Sequence, residues 1–212
     1  MRGPSSFSLI FLSLLIASCS AAPIPATPQL VSVYSTAAAE PWLSQAYDCA
    51  GTSTVISRVA DLSAANIVLR VGEPKVLTLF AYQIDTEDLL IVTQRQSPIQ
   101  NLTLEGAQAL FAGQGDPSVQ VWVYAPQEDL QEAFDQFVMA GMSVTPLARV
   151  AATPQQMSDI LVNEMNAVGI LPRHWKVGDD REVFKVATVP VLALTHAEPQ
   201  GVIKQLIACL QK

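Results

Sequence analysis

The feature that most constrains this chain is a change of apolar period between Val119 and Val138. Val119-Gln120-Val121-Trp122-Val123-Tyr124 alternates as a strand does, and Leu130, Ala133, Phe134, Phe137 and Val138 then mark one face of a helix. Neither element can bury its apolar face alone, so such a unit must stack on others around a shared sheet. The phenylalanines and Trp122 are expected in that core. The unit recurs along the chain. Leu30–Tyr34 predicts a strand that leads into a helix with Pro41 near its first turn. Val55-Ile56, Ile67–Val71, Val76–Ile84 and Leu89–Thr93 predict further strands, with Gly72-Glu73-Pro74 as a stop. Thr103 predicts the N-cap of a helix that ends near Gly113, and Thr153-Pro154-Gln155-Gln156 has capping-box spacing ahead of a helix through Met157, Ile160 and Leu161. Ala167–Pro172 predicts a short strand and Phe184–Leu194 one or two more. Pro199 then opens a closing helix with Val202, Ile203, Leu206, Ile207 and Leu210 on its apolar face. The alternation predicts an α/β architecture with mainly parallel pairing and helices on both sheet faces.

The N-terminus points to a compartment. Phe7–Ala17 is an apolar run behind Arg2, too short for a permanent bilayer span, and it reads as a signal peptide. Ile16-Ala17-Ser18-Cys19 resembles the bacterial lipobox, which implies residues 1–18 as the leader, Cys19 as the lipid attachment site and an extracytoplasmic protein anchored to the cell membrane. Ala21-Ala22 offers an ordinary cleavage site as the alternative. Residues 19–28 are small and proline-rich, as a tether would be.

Twelve basic residues stand against nineteen acidic ones, for a net charge of −7, which argues against nucleic acid as a partner. With Cys19 set aside, Cys49 and Cys209 remain. An oxidising exterior permits them to bond, and two buried free thiols are the alternative. His174 and His196 are too few and too isolated for a zinc signature, and no nucleophile elbow, phosphate loop or dinucleotide fingerprint occurs. Neither a cofactor nor enzymatic chemistry is expected.

Three segments carry a family resemblance: Asn101–Gly113, with its Asn-Leu-Thr start and Leu-Phe-Ala-Gly end, then Val119–Val138, then Asn166-Ala167-Val168-Gly169-Ile170-Leu171-Pro172. In order, they resemble the type 2 periplasmic solute-binding proteins, in particular phosphate-binding lipoproteins of ABC importers. The resemblance implies a monomeric two-lobed protein with mainly parallel sheets, in which the chain crosses between lobes twice, near Leu89–Pro98 and Val183–Thr195. Residues 29–93 and 187–212 would form the first lobe and residues 94–186 the second. Cys49 and Cys209 would then share a lobe. Implied partners are a small-molecule or ion ligand held between the lobes and an ABC permease.

The ligand loops of that family map only in part. Ser35 and Thr36 fall where hydroxyls and backbone N–H groups hold an anion, although a Ser-Thr pair also serves as a cap or turn. Arg70 could aim a guanidinium at the cleft or sit on the surface. Where phosphate binders carry a Ser-Gly-Thr loop, this chain has Ala125-Pro126-Gln127-Glu128-Asp129. Glu128 and Asp129 suit a helix start and repel phosphate. A cationic or neutral solute, or a degenerate site, is therefore expected there. Arg173-His174-Trp175 could line a pocket or pack its indole onto a lobe. Two functions follow: a solute-binding component of an ABC transporter, or a sensor or structural lipoprotein of the same fold that binds a protein partner.

Overall fold

The computed structural model describes residues 27–212. The leader, Cys19 and most of the tether lie outside the described residues. Among the described residues, no helix is long and apolar enough to cross a membrane.

One eight-stranded sheet runs through the molecule in the order β2-β1-β3-β8-β4-β7-β5-β6. On one side lie β1 (Gln29–Ser35), β2 (Thr54–Arg58) and β3 (Ile67–Val71), and on the other β5 (Gln120–Val123), β6 (Arg149–Val150) and β7 (Ala167–Pro172). The two groups are joined by long antiparallel strands, β4 (Phe80–Thr93) and β8 (Arg181–Thr195). The C-terminal half of β8 pairs with β3, while the C-terminal half of β4 pairs with β7. Each long strand therefore belongs to both lobes. Their ladder shifts register between Gln83 and Asp85 and again between Leu89 and Leu90, which brackets the segment where one lobe gives way to the other.

One expectation about the strands needs correction. Val76–Ile84 and Leu89–Thr93 are not two strands: β4 starts at Phe80 and runs through both, so the first crossing begins before Leu89. The charged stretch Asp85–Asp88 hid this continuity, because a connecting strand passes through polar surroundings that break its apolar run. The parallel ladders are in the majority, as expected. Four ladders, among β1, β2 and β3 and among β5, β6 and β7, are parallel, and the three that involve β4 or β8 are antiparallel.

The helices are α1 (Glu40–Cys49), α2 (Leu104–Phe111), α3 (Asp129–Phe134), α4 (Pro154–Asn163) and α5 (Gly201–Leu210). Thr103 caps α2 by accepting from the Gly106 N–H at 3.1 Å. Thr153 caps α4 through Gln156 N–H at 3.1 Å, and the Gln156 side chain reaches back to the Ala152 N–H at 2.7 Å. Beyond α3 the backbone widens into a π-helical turn, Asp135–Met139. The extra residue per turn rotates Phe137 out of line with Phe134, so Phe134 is fully buried while Phe137 is 43 % exposed, contrary to the expectation for both. Trp122 is buried.

In the first lobe, α1 and α5 are joined by the disulfide Cys49–Cys209, with Cα atoms 5.9 Å apart. This settles the open alternative for those cysteines.

Candidate functional site

Parallel strands in an α/β sheet deliver their C-terminal ends, and the loops that follow, to one edge. Here the ends of β1 and β3 from the first lobe face the ends of β5 and β7 from the second. The residues singled out in the sequence sit at these strand ends or just beyond them: Ser35 at the end of β1 and Thr36 after it, Arg70 near the end of β3, Gln127–Asp129 after β5 and Arg173–Trp175 after β7.

The structure brings two of them, Thr36 and Asp129, into direct contact across the cleft and ties a third, Arg70, to Glu132. The Thr36 hydroxyl donates to Asp129 Oδ2 at 2.6 Å, and the Val71 backbone N–H donates to the same oxygen at 2.9 Å. The second oxygen, Oδ1, accepts from the N–H of Leu130 at 2.9 Å. Arg70 donates from Nε to the Gly72 carbonyl at 3.0 Å and from a terminal nitrogen to Glu132 Oε2 at 2.9 Å. Thr36, Arg70 and Val71 belong to the first lobe, Asp129 and Glu132 to the second. The lobes close tightly here: a Cβ on Gly72, whose φ is +79°, would sit 3.7 Å from Ala133 Cβ.

Asp129 is only 4 % exposed. Burial pushes its carboxyl above the usual carboxylate range, against the downward pull of the Thr36 hydroxyl, the Val71 N–H, the nearby Arg70 guanidinium and the Leu130 N–H. A carboxyl group of the second lobe is thus seated on the Thr36 hydroxyl and the Val71 N–H of the first.

The other candidates take lesser places. Ser35 is buried, and its hydroxyl is spent locally on the Thr36 carbonyl at 2.9 Å. Gln127 is exposed. Glu128 is half-buried, with its carboxyl pushed up first by burial and then by the charge of Asp129.

A second set of contacts spans the lobes beside the first, and the sequence suggested only half of it. Trp175 Nε1 donates to the Ala38 carbonyl at 3.2 Å, and the His174 ring lies 4.7 Å from the buried Trp42 ring of α1. His174 Nδ1 meets Glu87 Oε2 at 2.5 Å. Trp42 Nε1 donates to Asp85 Oδ2 at 2.9 Å. Glu87 is 2 % exposed, and burial raises its carboxyl while the His174 contact opposes the rise. Next to it, Lys185, Thr188 and Arg173 hold Asp88 down to about 2. Glu87 and Glu132 escaped sequence reading. Their signals were faint: a charged run inside a strand for the first, and a position three residues after Asp129 on one helix face for the second.

Among the described residues, no group of three or more His, Cys, Asp or Glu side chains is placed to hold a metal ion. A recess of about 350 Å³ opens at the connecting strands, lined by Thr86, Glu87, Asp88, Arg173 and His174.

No family model and no curated protein matches this chain. Solved structures do. A Clostridium perfringens phosphate ABC transporter substrate-binding type protein, with bound phosphate, superposes with a TM-score of 0.75 at 14 % identity, over 86 % of this chain and 93 % of that one. An ABC-type phosphate transport receptor from Vibrio cholerae gives 0.64 at 16 % identity, over 87 % and 94 %. The CcmR regulatory domain from Synechocystis, in complex with 2-PG, gives 0.67 at 8 % identity, over 86 % and 96 %. Transport receptors and a regulatory domain thus share one architecture with this chain, which has the two-lobed type 2 periplasmic-binding-protein-like fold.

Proposed function

We propose that this chain is an extracytoplasmic lipoprotein, anchored through Cys19, that uses the solute-receptor fold in a self-closed form as a sensor or structural module toward a protein partner. One observation carries this reading: the Asp129 carboxyl bridges Thr36 and Val71 of one lobe from the other, and Arg70–Glu132 fastens the same edge. Receptors that carry solutes close because the ligand binds the closed state better than the open one. Here two hydrogen bonds to a tethered carboxyl, an ion pair and the Trp175–Ala38 bond supply that difference without a ligand.

The reading is tested by thermal shift against a panel of phosphate, sulfate, amino acids and cations at neutral pH. A ligand at a hundred times its dissociation constant stabilises by about 2.7 kcal/mol, so a functioning cleft is readily seen. The expected response is flat across the panel. A stabilising solute would favour the second reading, a substrate-binding component of an ABC-type transporter. For that reading the recess at the connecting strands, lined by Thr86, Glu87, Asp88, Arg173 and His174, is the place to look for the solute. The anchor is tested separately: Cys19→Ser should release the protein from membranes and remove the lipid mass, and unchanged retention would refute lipid attachment.

A further inference from the structure

The closed cleft raises the question of what lies beneath the tethered carboxyl. Thr36 is set up as a donor rather than as an acceptor. Its Oγ1 already accepts from the Ala39 N–H at 3.3 Å, which turns its one proton outward, to Asp129. The Val71 N–H is the last of its strand and points at the same oxygen, 2.9 Å away. The β1 ladder stops at Ser35 and Leu69, two residues short of Val71, while on the β8 side pairing goes on, with the Gly72 N–H given to the Pro190 carbonyl at 2.7 Å. Two first-lobe donors thus converge on one oxygen, with the Arg70 guanidinium close behind. A carboxyl group from elsewhere in the chain is seated on them, 4 % exposed.

We propose that Asp129 is an intramolecular ligand that masks a competent carboxylate-binding site made by Thr36 and Val71 of the first lobe. The inference rests on the self-closed reading above and adds to it that the masked site works. Its ligand class is a small carboxylate, such as the side chain or C-terminus of a partner, that takes Oδ2's place when α3 is drawn aside. A carboxylate supplies the oxygen geometry the donors already accept. Pairing also compensates the two donors, which would otherwise be left open in a dry interface.

The test is chemical rescue. Asp129→Ala removes the tethered carboxyl and leaves Thr36, Val71 and Arg70 in place. Sodium formate, with sodium chloride as the ionic-strength control, should raise the melting temperature of the variant by about 2–4 °C at five times its dissociation constant and leave the wild type unmoved. Formate should give no such rise in Thr36→Val/Asp129→Ala. If Asp129→Ala does not fold alone, the refolded yield with and without formate gives the same readout. An Asp129→Ala protein insensitive to formate, or a Thr36→Val/Asp129→Ala protein rescued equally well, overturns the masked site but leaves the self-closed reading standing. A wild-type protein stabilised by a panel solute overturns the self-closed reading itself.

Discussion

Replacing Thr36 with valine keeps the β-branched shape and removes one hydroxyl, which makes it the sharpest probe of the bond that closes the cleft. The hydroxyl donates to Asp129 at 2.6 Å in a part-buried setting, and hydrogen bonds to charged groups contribute about 1.5–3 kcal/mol. Little else is lost, because the Ala39 N–H keeps a second acceptor in the Thr36 carbonyl at 3.1 Å. Asp129 retains the Val71 and Leu130 N–H groups, so the expected loss is about 2 kcal/mol. For a chain of this size that lowers the melting temperature by about 4–8 °C. The assay is urea unfolding of the wild type, Thr36→Val, Asp129→Ala and the double variant, read as a cycle. If the two side chains act on each other, the double variant should be less destabilised than the sum of the singles by about 1.5–3 kcal/mol. Coupling within about 0.5 kcal/mol of zero would mean that the contact contributes nothing, and the self-closed account would lose its principal bond.

Three further outcomes are expected. Reducing Cys49–Cys209, which closes a separation of 160 residues, should cost about 5 kcal/mol on the loop-entropy model, and unfolding curves with and without reductant measure it. Gly113→Ala should destabilise by about 2–4 kcal/mol, because φ is +82° there and a Cβ would meet Thr145 Oγ1 at 2.8 Å; an unchanged melting temperature would refute that packing. Asp180 is 7 % exposed with Oδ2 lacking a hydrogen-bond partner among the described residues, and burial pushes its carboxyl up to about 6. A raised carboxyl contributes stability below its ordinary range and loses it as pH rises through about 6. Asp180→Asn should therefore be more stable than the wild type above that pH and lose the advantage near pH 4; parallel melting curves from pH 4 to 8 would contradict this.

What could be read from the sequence follows the range of the interactions involved. The caps at Thr103 and Thr153 are three-residue events, and their spacing announces them. The faces of α4 and α5 show as simple periods for the same reason. β4 was harder to see, since Asp85, Glu87 and Asp88 interrupt its apolar pattern at the point where the strand changes lobes. The candidate site lay between these cases. Thr36, Arg70 and Asp129 each stood out by residue type and position, but Thr36 and Asp129 are 93 residues apart, and no local pattern says that they touch. His174 and Glu87, 87 residues apart, pose the same difficulty, and the pair was half missed. Phe137 fails differently: a π-helical turn breaks the period on which its burial was inferred.

The central claim, that the lobes are shut by the protein's own carboxyl, is tested most directly by the distance between them. Val55 and Leu147 are exposed on the two lobes, at 51 % and 82 %, and the other described cysteines are bonded to each other. Spin labels on Val55→Cys and Leu147→Cys in the Cys19→Ser protein therefore report lobe separation by pulsed electron resonance. The account predicts one narrow distance distribution without ligand, unaltered by the solute panel, and a longer, broader one in Asp129→Ala. A broad distribution in the protein with Asp129 intact, narrowing only when a solute is added, would contradict it.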